Sequence, residues 1–369
     1  MTSGSSSSSS NKRSREDIGL SEAEKARYDR QIRVWGAEAQ ERIQSSHVLI
    51  CGARGINMEA LKNIVLAGMS VCVQDSGVVT AGDLASGGFF LRADDVGKDM
   101  VDAALARIQE LNTFANVTGE KRPLRELDEA FYRGFNVISV ADASEEDVLR
   151  INSICRHSSR DNNNNSAEQK EQKQHITMMA SWTFGQEGAF LSDFGAHFQF
   201  KEDERRDYTP LLKALAFPNM RDTLRIPWSN LQKGKFLPLP GAFVKAAILA
   251  KWANQPGSSV EEELATASSA MEVNGLAADF LTVEDLTSLQ KVRGMASATV
   301  VSILGAFLAQ EIVKGVSRVG EPAYNTHVFN KKDLCVQVYP MCDTMTAPVS
   351  VAQNKAAVED VPVDNMIEL

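Results

Sequence analysis

The sequence has no CxxC pair, and its five cysteines are scattered. A zinc cluster and a thioredoxin-like redox site are therefore not expected. Cys51, Cys72 and Cys335 lie inside apolar, strand-like runs, where a free thiol acts as a small hydrophobe. None of the five stands in a recognisable nucleophile context, so no thioester-forming residue is assigned. No uninterrupted apolar run of about 18 residues is found, so no membrane span is expected. The N-terminus lacks the apolar core of a signal peptide. Positive charge is in short supply too. A net charge of -9 argues against a general binder of nucleic acid or anionic membrane. These absences describe a soluble, intracellular protein.

What is present is enough for a sizeable core: 369 residues, 43% of them hydrophobic, fit one large domain or two ordinary ones. Residues 1–17 are low-complexity, and a segment so poor in apolar side chains cannot offset its ordering entropy. Lys12, Arg13 and Arg15 form a short basic cluster there, which fits a solvated tail better than a nuclear import signal. A second disordered segment is expected over 158–174 and a flexible tail after about Met345.

Between those segments the pattern alternates. Ser21 and Glu24 make a capping-box signature, opening a helix that could run to about Ser45. His47–Gly52 is an apolar run closed by glycine, as a buried parallel strand would be. Ile56, Ala60, Ile64 and Ala67 recur at helical spacing before Gly68, a natural C-cap. Ser70–Asp75 is a second apolar run ending in an acid, and the order strand, turn, helix, strand, acid is a βαβ unit. Helical spacing returns over Val101–Leu111, and Asn136–Asp142 and His175–Ser181 supply further strands. A turn over Gly185–Gly188 leads to Ala189–Asp193, an antiparallel extension. Residues 205–290 are rich in helix formers, Val300–Lys314 reads as a buried helix, and Thr326–Phe329 with Leu334–Tyr339 as a closing hairpin.

The first turn of the βαβ unit reads Gly52-Ala53-Arg54-Gly55-Ile56-Asn57. A dinucleotide fingerprint needs glycines for the tight turn, for phosphate approach and for helix packing. Here Arg54 stands at the phosphate-facing position and Asn57 at the third. The residues favour a degenerate turn over an arginine recruited to phosphate. Asp75 suits a ribose hydroxyl, though acids often close strands.

Ahead of this unit lies YDRQIRVWG, residues 28–36, in a helix carrying Arg27, Arg30 and Arg33. At 100° per residue, Tyr28, Ile32 and Trp35 share one face and Arg30 lies nearly opposite. On the helix alone, a solvated salt bridge and a catalytic cation suit Arg30 equally. Arg27 and Arg33 read as solvated or paired with Asp29, Glu24 or Glu38.

YDRQIRVWG, with SSHVLICG, LKNIVLAG, Asp75 and the later ILGAFLAQEIVK, resembles the ubiquitin-like modifier activating enzymes, which share a fold with bacterial sulfur-carrier adenylating enzymes. The similarity covers roughly Glu24–Ala143 and Met295–Val338, and points within the family to the small subunits of its heterodimeric SUMO-activating branch. It implies an α/β, Rossmann-like adenylation domain of ThiF/MoeB type, with a mixed, mostly parallel sheet. That domain would run over 21–204 and 291–340, around a helical insertion at 205–290, between a disordered tail (1–20) and a flexible one (341–369).

The resemblance also implies what is missing. Gly87 and Gly88 fall where active members place Arg and Gln, and Met100 of Gly97-Lys98-Asp99-Met100 takes a basic position. Asp142 lies near the place of a magnesium-binding aspartate but reads as a strand-end acid. So no cofactor-binding or metal-binding residue is assigned in this chain. ATP and magnesium would be bound by a larger catalytic partner subunit, which would also carry the cysteine and engage SUMO. Arg30 would reach that ATP in trans, and the protein would be nuclear or shared between nucleus and cytoplasm. The alternatives are the regulatory subunit of a neddylation activator, expected to be longer, and an NAD(P)-dependent oxidoreductase, which the turn and the lack of a Tyr/Lys or His/Asp set disfavour.

Overall fold

The computed structural model describes residues 19–86, 88–157, 175–202, 212–228, 241–277, 279–330 and 334–341. The expected disorder of 1–20, 158–174 and the C-terminal tail, and the basic cluster Lys12 to Arg15, fall outside those residues apart from 19, 20 and 341.

The first segment is two helices, α1 (Glu22–Trp35) and α2 (Ala37–Gln44), where the sequence predicts one. The break is Gly36, at φ 87° and ψ 162°, a backbone region open essentially to glycine alone. Then follow β1 (His47–Cys51), α3 (Gly55–Ala67) and β2 (Ser70–Gln74). Gly68 caps α3 in the left-handed conformation at φ 104°, as the sequence predicts. A short α4 (Ala81–Ala85) precedes α5 (Met100–Leu111) and β3 (Val117–Glu120). Next come α6 (Glu129–Arg133), β4 (Val137–Ala141), α7 (Glu145–His157), β5 (Thr177–Phe184) and β6 (Glu187–Asp193).

The strands form an eight-stranded sheet in the order β10-β9-β6-β5-β4-β1-β2-β3, counting β9 (Thr326–Asn330) and β10 (Cys335–Tyr339). From β3 to β5 every pairing is parallel, and β6, β9 and β10 extend the sheet antiparallel. β1 and β4 lie side by side at its centre, with Val48 opposite Val137 and Cys51 opposite Val140. Their side chains are almost wholly buried because helices cover both faces, hence the unbroken apolar runs.

One face is covered by α3, α5 and α12 (Ala298–Ser317), together with the strands at Phe198–Lys201 and Leu212–Leu215, and the other by α6, α7 and the helices between residues 220 and 291. In the region predicted to be a helical insertion, the described residues form β8 (Leu212–Leu215), α8 (Met220–Leu224), α9 (Gly241–Trp252), α10 (Val260–Val273) and α11 (Val283–Lys291). β8 pairs antiparallel with β7 (Phe198–Lys201). α9 lies against the sheet, burying Phe243, Val244, Ile248 and Trp252 in the same core as Ile138, Met178 and Leu191. Each such side chain contributes roughly 1.5–3 kcal/mol.

The buried helix predicted at 300–314 is α12, longer at both ends. Its inner face packs on α3, and Thr299, Ser302, Ala306, Phe307 and Gln310 face outward. Its 20 residues are long and apolar enough by length and composition to cross a membrane, although no pure apolar run exists in the sequence, and 56% of that stretch is buried in the fold. Of the strand cysteines, Cys51 and Cys72 are buried as expected, but Cys335 is exposed. It lies on β10, at the edge of the sheet, where one flank has no neighbouring strand among the described residues.

Candidate functional site

α1 is built as a fixed platform. Its N-terminus carries the predicted capping box, with Glu24 N–H donating to Ser21 Oγ and Glu24 Oε2 accepting from Ser21 N–H. Tyr28 is 1% exposed and its hydroxyl accepts from Asn112 Nδ2 at 2.8 Å. Trp35 Nε1 donates to Gln40 Oε1 at 2.9 Å, and Gln40 Nε2 donates in turn to the Ala67 carbonyl at 3.1 Å. Gly68 lies so close that a Cβ there would sit 2.9 Å from the Tyr28 hydroxyl. α1 is thus held at the C-terminal end of α3, through the aromatic residues the wheel placed inward.

The three arginines differ. Arg33 pairs with Asp29 at 2.8 Å, as expected. Arg27 does not pair with an acid; it donates to the Leu111 carbonyl at 2.8 Å, at the C-terminus of α5. A cation there meets the negative end of the helix dipole, which one helix's sequence cannot reveal. Arg30 is exposed and has no hydrogen bond or ion pair with any of the described residues.

The turn after β1 lies at the opposite end of α3. That helix has 13 residues, about 20 Å of rise, so Arg30 is beyond side-chain reach of its own chain's turn. Gly52 adopts φ 82° and packs so tightly that a Cβ would meet the Ala141 carbonyl at 3.0 Å. This is the structural glycine the turn retains.

Arg54 closes the turn. Its NH1 lies 2.6 Å from Asp83 Oδ1 and its Nε 3.3 Å from Asp75 Oδ2, while NH2 donates to the Val78 carbonyl. Both Asp75 oxygens are engaged, Oδ2 by Ala53 N–H at 3.0 Å and Oδ1 by Gly77 N–H at 2.8 Å. Burial alone would lower the Arg54 pKa, but the charges of Asp75 and Asp83 more than offset it and the net shift is upward. Asn57, at the third glycine position, donates to the Cys51 and Gly52 carbonyls and accepts from Ser139 Oγ. Arg54 and Asn57 thus place side chains at two of the three glycine positions, and the Asp75 carboxylate is engaged on both oxygens. Sequence reading missed Asp83 as the partner of Arg54. Its only local signal is a second capping box, Thr80 with Asp83.

Lys98 pairs with Asp95 at 3.1 Å, and Met100 is buried. Asp142 closes β4 at φ 52°, and its Oδ1 accepts from Thr183 N–H at 3.2 Å. Loss of hydration around the carboxylate pushes its pKa up to about 6, against the pull of the Thr183 N–H and the Arg54 charge.

A parallel sheet with a glycine turn at its centre and helices on both faces defines a Rossmann-like α/β protein whose first turn is locked by its own side chains. A profile of the ThiF family matches residues 28–347, and the chain belongs to that family. Over most of its length it is also similar to SUMO-activating enzyme subunit 1. The Xenopus laevis protein is 27% identical over 351 residues, 86% of this chain and 96% of the relative. The Homo sapiens protein is 27% identical over 343 residues, 85% and 93% respectively. The Danio rerio protein is 25% identical over 349 residues, 86% and 94%. The alignments with these relatives span most of the chain.

Proposed function

We propose that this chain is the small, non-catalytic subunit of a heterodimeric SUMO-activating enzyme, and that Arg30 acts in the active site of the larger subunit. The partner would bind ATP and magnesium and carry the cysteine. In the reaction, the C-terminal carboxylate of SUMO attacks the α-phosphate, pyrophosphate leaves, and the partner's thiolate then displaces AMP to form a thioester. Negative charge builds on the α-phosphate in the first step, and a fixed cation placed there in advance stabilises it. Such an arginine can come from a second polypeptide.

The observation that carries this reading is Arg30 itself: exposed and without a described partner, on a helix fixed by Tyr28 and Trp35. A surface arginine that served only a salt bridge would be expected to have its acid nearby, as Arg33 has Asp29. The locked turn supports the same division of labour, since Arg54 and Asp75 satisfy each other. Nuclear residence, with or without a cytoplasmic pool, belongs to this proposal.

The test is ATP–pyrophosphate exchange by the reconstituted pair. Arg30→Ala should leave heterodimer formation on gel filtration intact and slow exchange by on the order of 10²- to 10³-fold. Exchange at the wild-type rate would sink the assignment of Arg30, and failure to form a pair with a SUMO-activating large subunit would sink the assignment of the chain.

A further inference from the structure

On the face of the molecule covered by α7 to α10, a groove of about 980 Å³ opens between α7, α8 and α9. It runs into a neighbouring depression of about 450 Å³ along α10, the two sharing Lys251, Val273 and Asn274. In a chain of net charge -9 the groove is basic: Arg150, Arg221, Arg225 and Lys251 line it, against Glu145 and Glu146. Its remaining lining mixes Leu149, Ile154, Leu224 and Val273, the last 81% exposed at the rim, with Ser153, Asn254 and Asn274.

Part of the charge is internally neutralised. Glu145 accepts from Arg225 Nε at 3.2 Å and from Lys251 Nζ at 2.6 Å. Arg150 donates to the Leu124 carbonyl and pairs with Asp147 at 3.6 Å. Arg221 has no partner among the described residues, and the 55% exposed Arg225 side chain uses only its Nε. The outer groups of both guanidiniums are free to take carboxylates.

The described chain ends on the buried side of α8, the helix whose outer side carries Arg221 and Arg225 into the groove. Met341 is buried, and its N–H and carbonyl both bond the Asn325 side chain, at 2.9 and 3.3 Å. Asn325 Nδ2 also donates to Thr223 Oγ1 at 3.1 Å, and Thr223 lies between Arg221 and Arg225 in sequence. Residues 342–369 follow. From 356 onward they contain Glu359, Asp360, Asp364 and Glu368 with no Lys or Arg, interleaved with Val358, Val361, Val363, Met366, Ile367 and Leu369. Acids interspersed with aliphatics complement a groove that presents both arginines and aliphatic side chains. Residues 342–355 provide about 45 Å of extended chain to reach it.

We infer that the groove between α7, α8 and α9 is the docking site for the acidic, aliphatic segment 356–369 of this same chain. Tethering places that segment at millimolar effective concentration, so weak contacts suffice to keep the site filled. Rim arginines contribute little individually in water, and binding should weaken with salt.

The test uses the full chain, as a mixture of isotopically distinct copies, and a carbodiimide, which joins carboxylates to lysine amines within contact distance, read by mass spectrometry on the monomer and dimer fractions separately. The Lys251–Glu145 cross-link is the internal control. Lys251 should also join Glu359, Asp360, Asp364 or Glu368. That yield should fall about tenfold in Arg221→Glu combined with Arg225→Glu, and in 1 M salt. Neutralising the tail (Glu359→Gln, Asp360→Asn, Asp364→Asn, Glu368→Gln) should speed amide exchange in α8 and around Val273. A control cross-link without any tail cross-link would overturn the inference, as would a tail cross-link insensitive to Arg221→Glu. Cross-links found only between isotopically distinct copies would assign the groove to a second copy's tail and equally overturn it.

Discussion

Tyr28 and Asn112 meet at 2.8 Å in the interior, and the same Asn112 amide nitrogen donates to the Val65 carbonyl, also at 2.8 Å. One side chain thus ties α1 to the last turn of α3 from its place just after α5. The direction in which Arg30 points depends on this knot as much as on α1.

Tyr28→Phe removes one acceptor from a buried amide that keeps another, and should cost about 1 kcal/mol. Tyr28→Ala also opens a cavity and should cost about 3–5 kcal/mol. Urea unfolding would measure both, and exchange protection in α1 should fall with Tyr28→Ala. Equal losses for the two variants would show that packing of the ring contributes nothing.

Gly36→Ala forces a side chain into a backbone region where only glycine is at ease, at a cost on the order of 1–3 kcal/mol. In the reconstituted pair it should slow pyrophosphate exchange with Arg30 unaltered, because the α1–α2 break sets the angle of α1. Full exchange activity with normal stability would mean that Gly36 has no such role.

Arg54→Gly restores a glycine at the phosphate-facing position but leaves Asp75 and Asp83 without their shared cation. Loss of these charge-assisted bonds should lower stability by about 1–3 kcal/mol. It should create no ATP binding by titration calorimetry, because Gly87, Gly88 and Met100 still stand where the polar contacts belong. A measurable gain in affinity would overturn this account of the turn.

His327 and His175 make the fold sensitive to acid. His327 is buried, stacked on Phe190 at 4.0 Å between ring centres, and neither of its ring nitrogens has a hydrogen-bond partner among the described residues. Burial drives its pKa from 6.5 down to about 3, with Lys314 adding to the shift. Burial likewise lowers His175 to about 4 against the pull of Asp193. In the unfolded chain both take up a proton below about 6.5, and in the fold they do not. Their contribution is therefore intact above pH 6.5 and declines as pH falls toward 4, by about 1.4 kcal/mol per unit for each histidine. Unfolding free energy measured between pH 7 and 5 should show this decline, and His327→Leu should remove about one proton from its slope. An unchanged slope would mean that His327 is protonated in the fold.

The central βαβ unit was legible because strands buried on both faces must be apolar throughout, so β1, β2 and the Gly68 cap sit where the pattern predicts. The α1–α2 break was not, because a glycine inside a helical pattern looks tolerable until its φ is known. Cys335 looked buried because an apolar run does not say whether its strand lies at an edge. α12 reads as apolar nearly all round, which cannot distinguish the face on α3 from the outward face bearing Phe307. At the site, the anchoring of Tyr28 and Trp35 followed from helical phase. The hold on Arg54 did not, since Asp83 lies 29 residues further along, and the Leu111 carbonyl that takes Arg27 is 84 residues away. Helical phase is local, whereas partners across the fold are fixed only by topology.

The Arg54 bridge also bears on stoichiometry. In a pair of the kind proposed, two related folds would face each other, yet only one could turn over a nucleotide. One ATP per two subunits would follow without negative cooperativity between equivalent sites. The asymmetry would be written into the covalent sequence, at an arginine occupied by two aspartates of its own chain.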